Sequence, residues 1–517
     1  MLTLRALLAC FIAFSFSTIS QAAKPNVLLI YTDDQGFGDA SCLNAEAKFE
    51  TPHLDRLARE GLSFTDAHCS DTVCTPSRYG LLTGRYCWRT TLKRGVMGAE
   101  GKCLIDDGRM TLASLLRDHG YATAMVGKWH LGMDFPGDKG LRDWSQPTRD
   151  MPLDKGFEYF YGIPASMNYG VLAWFEGRFA TVPPTLLTAK KPNKIALQDY
   201  RIMPPYASEA RAVKAPSKKQ ILEVAPDFVD SECLTRFTDK AIEWLGSRAD
   251  SSDDKPFFLY LPYTSPHKPV IPLPKFQGQS EAGAYGDFMI ETDYHVGRIL
   301  DFMDQQQLTE NTLVIVTSDN GPENTWRERI EKFGHDSNSI YREGKRSIYE
   351  GGHRVPFLVR WPHGISDPGR TVKHPICQTD ILATFADLLG ADLPDEAGED
   401  SVSFLAMLRD ENYQVERAGM VHHSISGRYA IRQGKWKLVM PEKKSHSIEL
   451  YDLSADPSET RNLAGDNADL VKRMTQTLTE IVCRGRTTAG KSQSNDTDYW
   501  EDLRWLTKTE YRRKLAL

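Results

Sequence analysis

Short apolar runs rich in branched and aromatic residues recur along the chain, at residues 26–31, 121–126, 257–261, 313–317 and 357–361. Each is too short for a helix and none alternates, which predicts strands buried on both faces. Between them apolar residues recur at helical spacing. Leu54, Leu57 and Ala58 form one such face, opened by Thr51-Pro52 and closed by Gly61, and a strand at 62–64 should follow it. Residues 110–119, 228–245 (core face Phe237, Ala241, Trp244, Leu245), 285–307 (Phe288, Val296, Ile299, Leu300, Met303) and 372–389 predict further helices. Strands alternating with helices imply an α/β fold, a large mixed, mostly parallel sheet sandwiched by helices. From about residue 417 the pattern changes to a hairpin around Gly434, a strand at 449–453 and a helix at 468–482. The expected domains are therefore 24–416 and a smaller α+β unit over 417–517. Residues 134–226 carry repeated prolines and glycines between Tyr159, Tyr161, Tyr169 and Trp174, as in a long irregular insertion that shapes a pocket or simply covers the core. Residues 484–496 are polar and expected to be mobile.

Four of the predicted strands end in chemistry. One runs into Asp33-Asp34-Gln35-Gly36, one into Lys128-Trp129-His130, one toward His267, and one into Asp319-Asn320-Gly321. Paired oxygen donors before glycine suit a hard cation, although a solvated Asp-Gly turn has the same pattern. Lys128 and His130, two apart on an extended backbone, should point the same way. His267, flanked by prolines, should sit on a rigid loop. Ligands of open α/β sheets bind beyond the carboxyl ends of the strands. One site is thus expected, with a hard cation, several basic groups and a nucleophile, the layout for attack on a tetrahedral oxyanion ester.

The remaining composition narrows the class. A net charge of −6 and a pI near 6.1 give no basic footprint, so nucleic acid is not an expected partner, and a polyanionic substrate would be met by local Lys and Arg clusters. Residues 1–23 read as a secretory signal: Arg5, an apolar run from Ala6 to Phe16, then small residues. That run is short for a membrane span, and it continues past Cys10, which argues against a lipoprotein site. Seven cysteines other than Cys10 and Cys74 leave room for a few bridges, with at least one unpaired.

The segment Cys74-Thr75-Pro76-Ser77-Arg78 reads as a helix start, with Thr75 as cap and Pro76 in the first turn. That puts Cys74 at the positive end of a helix beside Arg78, where a sulfur nucleophile, or an oxygen nucleophile derived from it, would be activated. The alternative is half of a disulfide. C-T-P-S-R with the following Leu82-Thr83-Gly84-Arg85 closely resembles the signature of the type I sulfatases, in the alkaline phosphatase superfamily. Gly127-Lys128-Trp129-His130-Leu131-Gly132 resembles a second signature of that family.

The resemblance implies an alkaline phosphatase-like fold and an arylsulfatase-like hydrolase. Cys74 would be converted to formylglycine by a formylglycine-generating enzyme, its hydrated aldehyde attacking sulfur. Asp33, Asp34, Asp319 and Asn320 would hold one calcium ion (Ca2+) together with the modified Cys74. Arg78, Lys128 and Lys345 would neutralise sulfate oxygens, His267 would protonate the leaving oxygen, and His130 would take a proton from the second hydroxyl. The looser resemblance is to bacterial exo-acting enzymes on sulfated galactose or N-acetylgalactosamine, so a sulfated carbohydrate is the expected substrate. His353, His422 and His423 could also reach the pocket, with structural roles the plainer reading. Two rival readings are a phosphate or phosphonate ester hydrolase of the same superfamily and a glycan-binding protein without turnover. A single N-glycosylation pattern, Asn495-Asp496-Thr497, favours a periplasmic or secreted protein over a lysosomal one.

Overall fold

The computed structural model describes residues 24–191, 201–443 and 446–515, so the expected signal at 1–23 lies outside the described residues. A ten-stranded sheet forms the centre. Its strands in chain order are β1 (Asn26–Asp33), β2 (Leu62–Phe64), β3 (Ala122–Lys128), β4 (Tyr159–Ile163), β5 (Phe175–Glu176), β6 (Phe179–Ala180), β7 (Phe257–Pro266), β8 (Thr312–Ser318), β9 (Phe357–Arg360) and β10 (Arg370–Val372). In space the order is β10-β2-β9-β8-β1-β7-β3-β4-β5-β6. The central run β8-β1-β7-β3-β4 is parallel throughout, and β9 and β5 enter antiparallel. Every residue of β7 and β8 is buried, as helices covering both faces require. Those helices include Pro52–Glu60, Leu112–Asp118, Cys233–Ala249 and Gly283–Gln305. The four strands predicted to end in chemistry, β8, β1, β7 and β3, are immediate neighbours.

The structure corrects several expectations. Residues 372–389 are not one helix. Strand β10 ends at Val372, a second short strand takes Ile376–Cys377, and the helix is Asp380–Leu389. Pro375 explains the break, since it lacks an N–H and pushes the residue before it out of the helical region. Residues 134–226 are less irregular than expected, because Val171–Leu172, Ile221–Val224 and Leu186–Ala189 build a small three-stranded sheet. Trp174 anchors the segment, stacked on Tyr161 at 4° and 4.8 Å from the Phe228 ring.

A four-stranded antiparallel sheet follows, made of β11 (Met420–His423), β12 (Tyr429–Gln433), β13 (Trp436–Val439) and β14 (Glu449–Asp452), backed by the helix Ala468–Arg484. Its apolar core reaches back to Tyr86 and Trp88. Residues 484–496, expected to be mobile, are instead tied down. Arg85 donates to Ser494 O at 3.2 Å and Asp496 Oδ1 at 2.8 Å, and the Asp496 N–H donates to Arg89 O at 2.8 Å. Two buried arginines need acceptors, and this polar stretch supplies them. Among the described residues no cysteines are bridged, which removes the disulfide reading of Cys74.

Candidate active site

The Cys74–Thr83 helix begins two residues earlier than its sequence suggests. Val73 is the capping position, in extended backbone, and Cys74 is the first helical residue. Thr75 is not the cap; its hydroxyl donates to His130 O at 3.1 Å and ties the helix to the end of β3. Gly80 lets the helix lie against Ser70, whose Oγ would stand 2.1 Å from an added Cβ.

The strand tips converge on Cys74. Asp33 Oδ1 lies 3.6 Å from its Sγ and Lys345 Nζ 3.5 Å. Lys128 donates to Asp33 and Lys345 to Asp34. Arg78, fully buried, donates to Asp319 Oδ2 from Nη2 at 2.8 Å and Nε at 3.2 Å, and to Lys128 O at 3.1 Å; its Nη2 is 3.8 Å from Asp33. Asp319 Oδ1 accepts the Asp34 N–H at 3.1 Å, and Asn320 Nδ2 donates to Asp34 Oδ1 at 2.7 Å. His267 Nε2 stands 3.8 Å from Asp34 Oδ2. Every residue expected at the site is therefore brought into one buried constellation except His130, which faces the same cavity from the β3 side.

His130 was expected on extended backbone, but it has φ 63° and Asp34 has φ 68°. Two non-glycine residues in the left-handed region at one site store strain that the surrounding packing must hold. Asp34 Oδ2 and Asn320 Oδ1 are buried without a hydrogen-bond partner. With the Asp33 carboxylate they make a cluster of hard oxygen donors, with Cys74 and His267 also in reach, that fits a cation such as calcium or magnesium.

The electrostatics correct one expectation. The Cys74 thiol is pushed up to about 12 by burial and by the Asp319 carboxylate, against the pull of Lys128 and Lys345. A helix N-terminus is worth at most about 2 kcal/mol, whereas full burial moves a pKa by up to about 3–5 units. Burial wins, and Cys74 as a plain thiol is not activated. Burial and Asp319 likewise push Asp33 up to about 7. Burial opposes the charge on Asp319 too, but Arg78, Lys128 and Lys345 outweigh it and hold that carboxyl low. His130 is kept neutral, far below the ordinary imidazole range, by burial, Lys128 and Arg78. Its Nε2 donates to Met97 O at 3.0 Å, which leaves Nδ1 as a bare, unpartnered lone pair. Burial, Lys345 and Lys128 do the same to His267, whose Nδ1–H donates to Lys268 O at 2.6 Å.

A cavity of about 1050 Å³ opens above Cys74. Residues 134–226 do shape it, through Tyr169, Lys190 and Leu222 among others. Tyr169 was among the aromatics expected in that insertion, whereas sequence reasoning missed Lys190, Lys268 and Arg346 there; the last two directly follow His267 and Lys345, a signal that was legible. Glu323 pairs with both, at 3.0 Å to Lys268 Nζ and 2.9 Å to Arg346 Nη2.

The other histidines do not line this cavity. His68 Nε2 meets Asp66 Oδ1 at 2.7 Å and its Nδ1 meets His353 Nδ1 at 2.9 Å, while His423 Nδ1 meets Asp71 at 2.6 Å. His353 and His422 stack at 3.8 Å and 9°. An ion in the plane of one ring lies outside the plane of the other, so the His68, His353 and His422 group reads as a buried polar joint between the two sheets.

The sulfatase family profile matches residues 25–391, most of the chain. The chain belongs to the sulfatase family. A second profile, N-sulphoglucosamine sulphohydrolase C-terminal, matches residues 342–484. This sulfatase is 34% identical over 495 residues to an N-acetylgalactosamine-6-O-sulfatase of Bacteroides thetaiotaomicron, covering 89% of this chain and 94% of that one. It is 31% identical over 490 residues to human arylsulfatase A, covering 90% and 88%. A solved structure from work on glycosaminoglycan metabolism by Bacteroides thetaiotaomicron superposes with a TM-score of 0.76 at 32% identity, covering 89% of this chain and 99% of that one. The sulfatase is a sulfuric ester hydrolase, and the phosphate-ester and purely glycan-binding alternatives give way to that assignment.

Proposed function

We propose that this sulfatase removes sulfate from a sulfated sugar, N-acetylgalactosamine 6-sulfate or sulfated galactose at a chain end, and that Cys74 is its nucleophile position once oxidised to formylglycine. The observation that carries the reading is the meeting of Cys74, three basic side chains and an oxygen-donor set at four neighbouring strand tips. The similarity to the N-acetylgalactosamine-6-O-sulfatase supports the choice of sugar.

As a hydrated aldehyde, position 74 would supply an oxygen nucleophile that the inert thiol lacks. Asp33, Asp34, Asp319 and Asn320 would hold a calcium ion, which supplies Lewis-acid stabilisation of sulfate oxygens. The remaining work falls to the chain's own residues. Lys128, Lys345 and Arg78 are fixed cations that orient an anionic ester, preorganised by their carboxylate partners. His130 Nδ1, bare and neutral, accepts a proton on the Cys74 side. His267 must carry a proton to serve a leaving alkoxide, yet Lys345, Lys128 and Lys268 oppose its charge. An anionic substrate offsets those cations, so proton donation is tied to substrate binding. We further read residues 1–23 as an export signal, which puts the work in the periplasm or outside the cell, on residues 24–416 as catalytic domain.

The test is the mass of the tryptic peptide containing Cys74, from protein made with an active formylglycine-generating enzyme, followed by turnover of a panel of sulfated sugars. Conversion of thiol to aldehyde with preference for N-acetylgalactosamine 6-sulfate is expected. Full activity from an unmodified Cys74 would overturn the mechanism.

A further inference from the structure

The cavity over Cys74 is lined by eight Lys and Arg side chains and one carboxylate, Glu100. Half of those cations are answered within the fold. Lys345 pairs with Asp34, Lys268 and Arg346 with Glu323, and Lys139 with Glu100 at 3.3 Å. Lys190, Lys191, Lys214 and Lys219 have no carboxylate within 4.0 Å among the described residues. All four lie in sequence between the side-sheet strands Leu186–Ala189 and Ile221–Val224, and all four line the same cavity.

Lys190 is the innermost. Its Nζ rests 3.5 Å from the centre of the Tyr169 ring, and that ring lies 5.4 Å from the His130 ring. One aromatic side chain thus separates an ammonium with no carboxylate partner among the described residues from the reactive position. Burial and the neighbouring Lys268 depress its pKa to about 8, so an anion placed beside it is what this wall lacks. The volume points the same way. At about 1050 Å³ the cavity is at the top of the roughly 300–1,000 Å³ range of small-ligand sites and has room beyond one sugar ring.

We infer that the Lys190, Lys214 and Lys219 wall is a second anion subsite, which takes a carboxylate or sulfate on the sugar next to the one losing its sulfate. This rests on the sulfatase reading of the Cys74 site and deepens it. The substrate class becomes an acidic oligosaccharide with two anionic groups, in place of an isolated sulfated sugar or an aryl sulfate. Attraction to an exposed or half-buried lysine is modest and salt-sensitive, so each contributes roughly twofold to fivefold.

The experiment compares three probes: N-acetylgalactosamine 6-sulfate, the same unit linked to a uronate, and that disaccharide with its carboxyl reduced to the alcohol. For the matured protein, kcat/KM should be highest on the uronate disaccharide, with that advantage shrinking at high salt. Lys190→Gln, and more so Lys190→Gln with Lys219→Gln, should erase the advantage by raising KM more than lowering kcat. Equal kcat/KM on the acidic and carboxyl-reduced disaccharides, or equal loss on all three probes in the lysine variants, would overturn the subsite. Calorimetry on unmatured protein separates this from the parent reading. If the variants weaken binding of the uronate disaccharide while no probe is turned over by matured protein, the sulfated-sugar assignment fails and the subsite stands.

Discussion

Arg78→Met tests how the site is held together. The methionine keeps the aliphatic bulk but removes three hydrogen bonds, at 2.8 and 3.2 Å to Asp319 and 3.1 Å to Lys128 O, and the cation 3.8 Å from Asp33. Asp319 and Asp33 are both fully buried. Breaking a buried pair by removing one partner costs about 3–5 kcal/mol, because the remaining charge is stranded. The stranded carboxylates keep Lys128 and Lys345 nearby, which argues for the lower half, about 3–4 kcal/mol. The assay is urea unfolding of the unmatured protein, in chelator and in excess calcium. In chelator the variant should lose that amount. In calcium the loss should shrink, since a cation seated on Asp33, Asp34 and Asp319 takes over part of the guanidinium's work. A loss below about 1 kcal/mol in chelator would refute the reasoning that these charges are desolvated and mutually dependent. A loss unchanged by calcium would refute the cation site.

His130→Gln should lower kcat on an aryl sulfate by about 10²–10⁴-fold, the usual worth of a positioned base. Because its folded pKa is depressed by burial, Lys128 and Arg78, His130 stays unprotonated from neutral pH to well below the ordinary 6.5; the wild-type acid limb should not sit at the ordinary imidazole value, and a limb at 6.5 that vanishes in the variant would contradict this. Dialysis against chelator should abolish turnover, with recovery in calcium followed by isothermal titration; full activity of demonstrably metal-free protein would count against the donor set. Asp400→Asn strands the buried Arg89, which now makes two bonds to it at 2.7 and 2.8 Å, and should destabilise the fold by about 3 kcal/mol in urea melts.

The strand tips were legible in the sequence because a parallel sheet advertises itself: apolar runs with no alternation, each ending abruptly in Asp, Lys, His or Asn. What such runs do not encode is their order in space, and it is the adjacency of β8, β1, β7 and β3 that makes one site of four tips. The thiol's state was misread because local rules count a helix end and a nearby arginine, whereas the deciding terms, burial and Asp319, come from residues far along the chain. Lys190 escaped notice for a similar reason. A Lys-Lys pair in a proline-rich stretch looks like solvated surface, and only the side sheet turns it toward Tyr169. The tail at 484–496 reads as disordered by composition, since nothing local shows that Arg85 and Arg89 are buried and waiting for acceptors.

Those last contacts set an order of events in the cell. Arg85 lies just past the end of the helix that carries Cys74, and its partners, Ser494 and Asp496, lie 409 and 411 residues further along and so leave the ribosome long after it. Cys74 itself is 3% exposed once the structure has closed. If Cys74 is oxidised as proposed, the modifying enzyme would have a window that opens when that segment emerges and shuts when Ser494 and Asp496 dock. Slowing the docking, for instance by Asp496→Ala, would lengthen that window, and the fraction of chains modified at position 74 would then serve as a clock for the docking step.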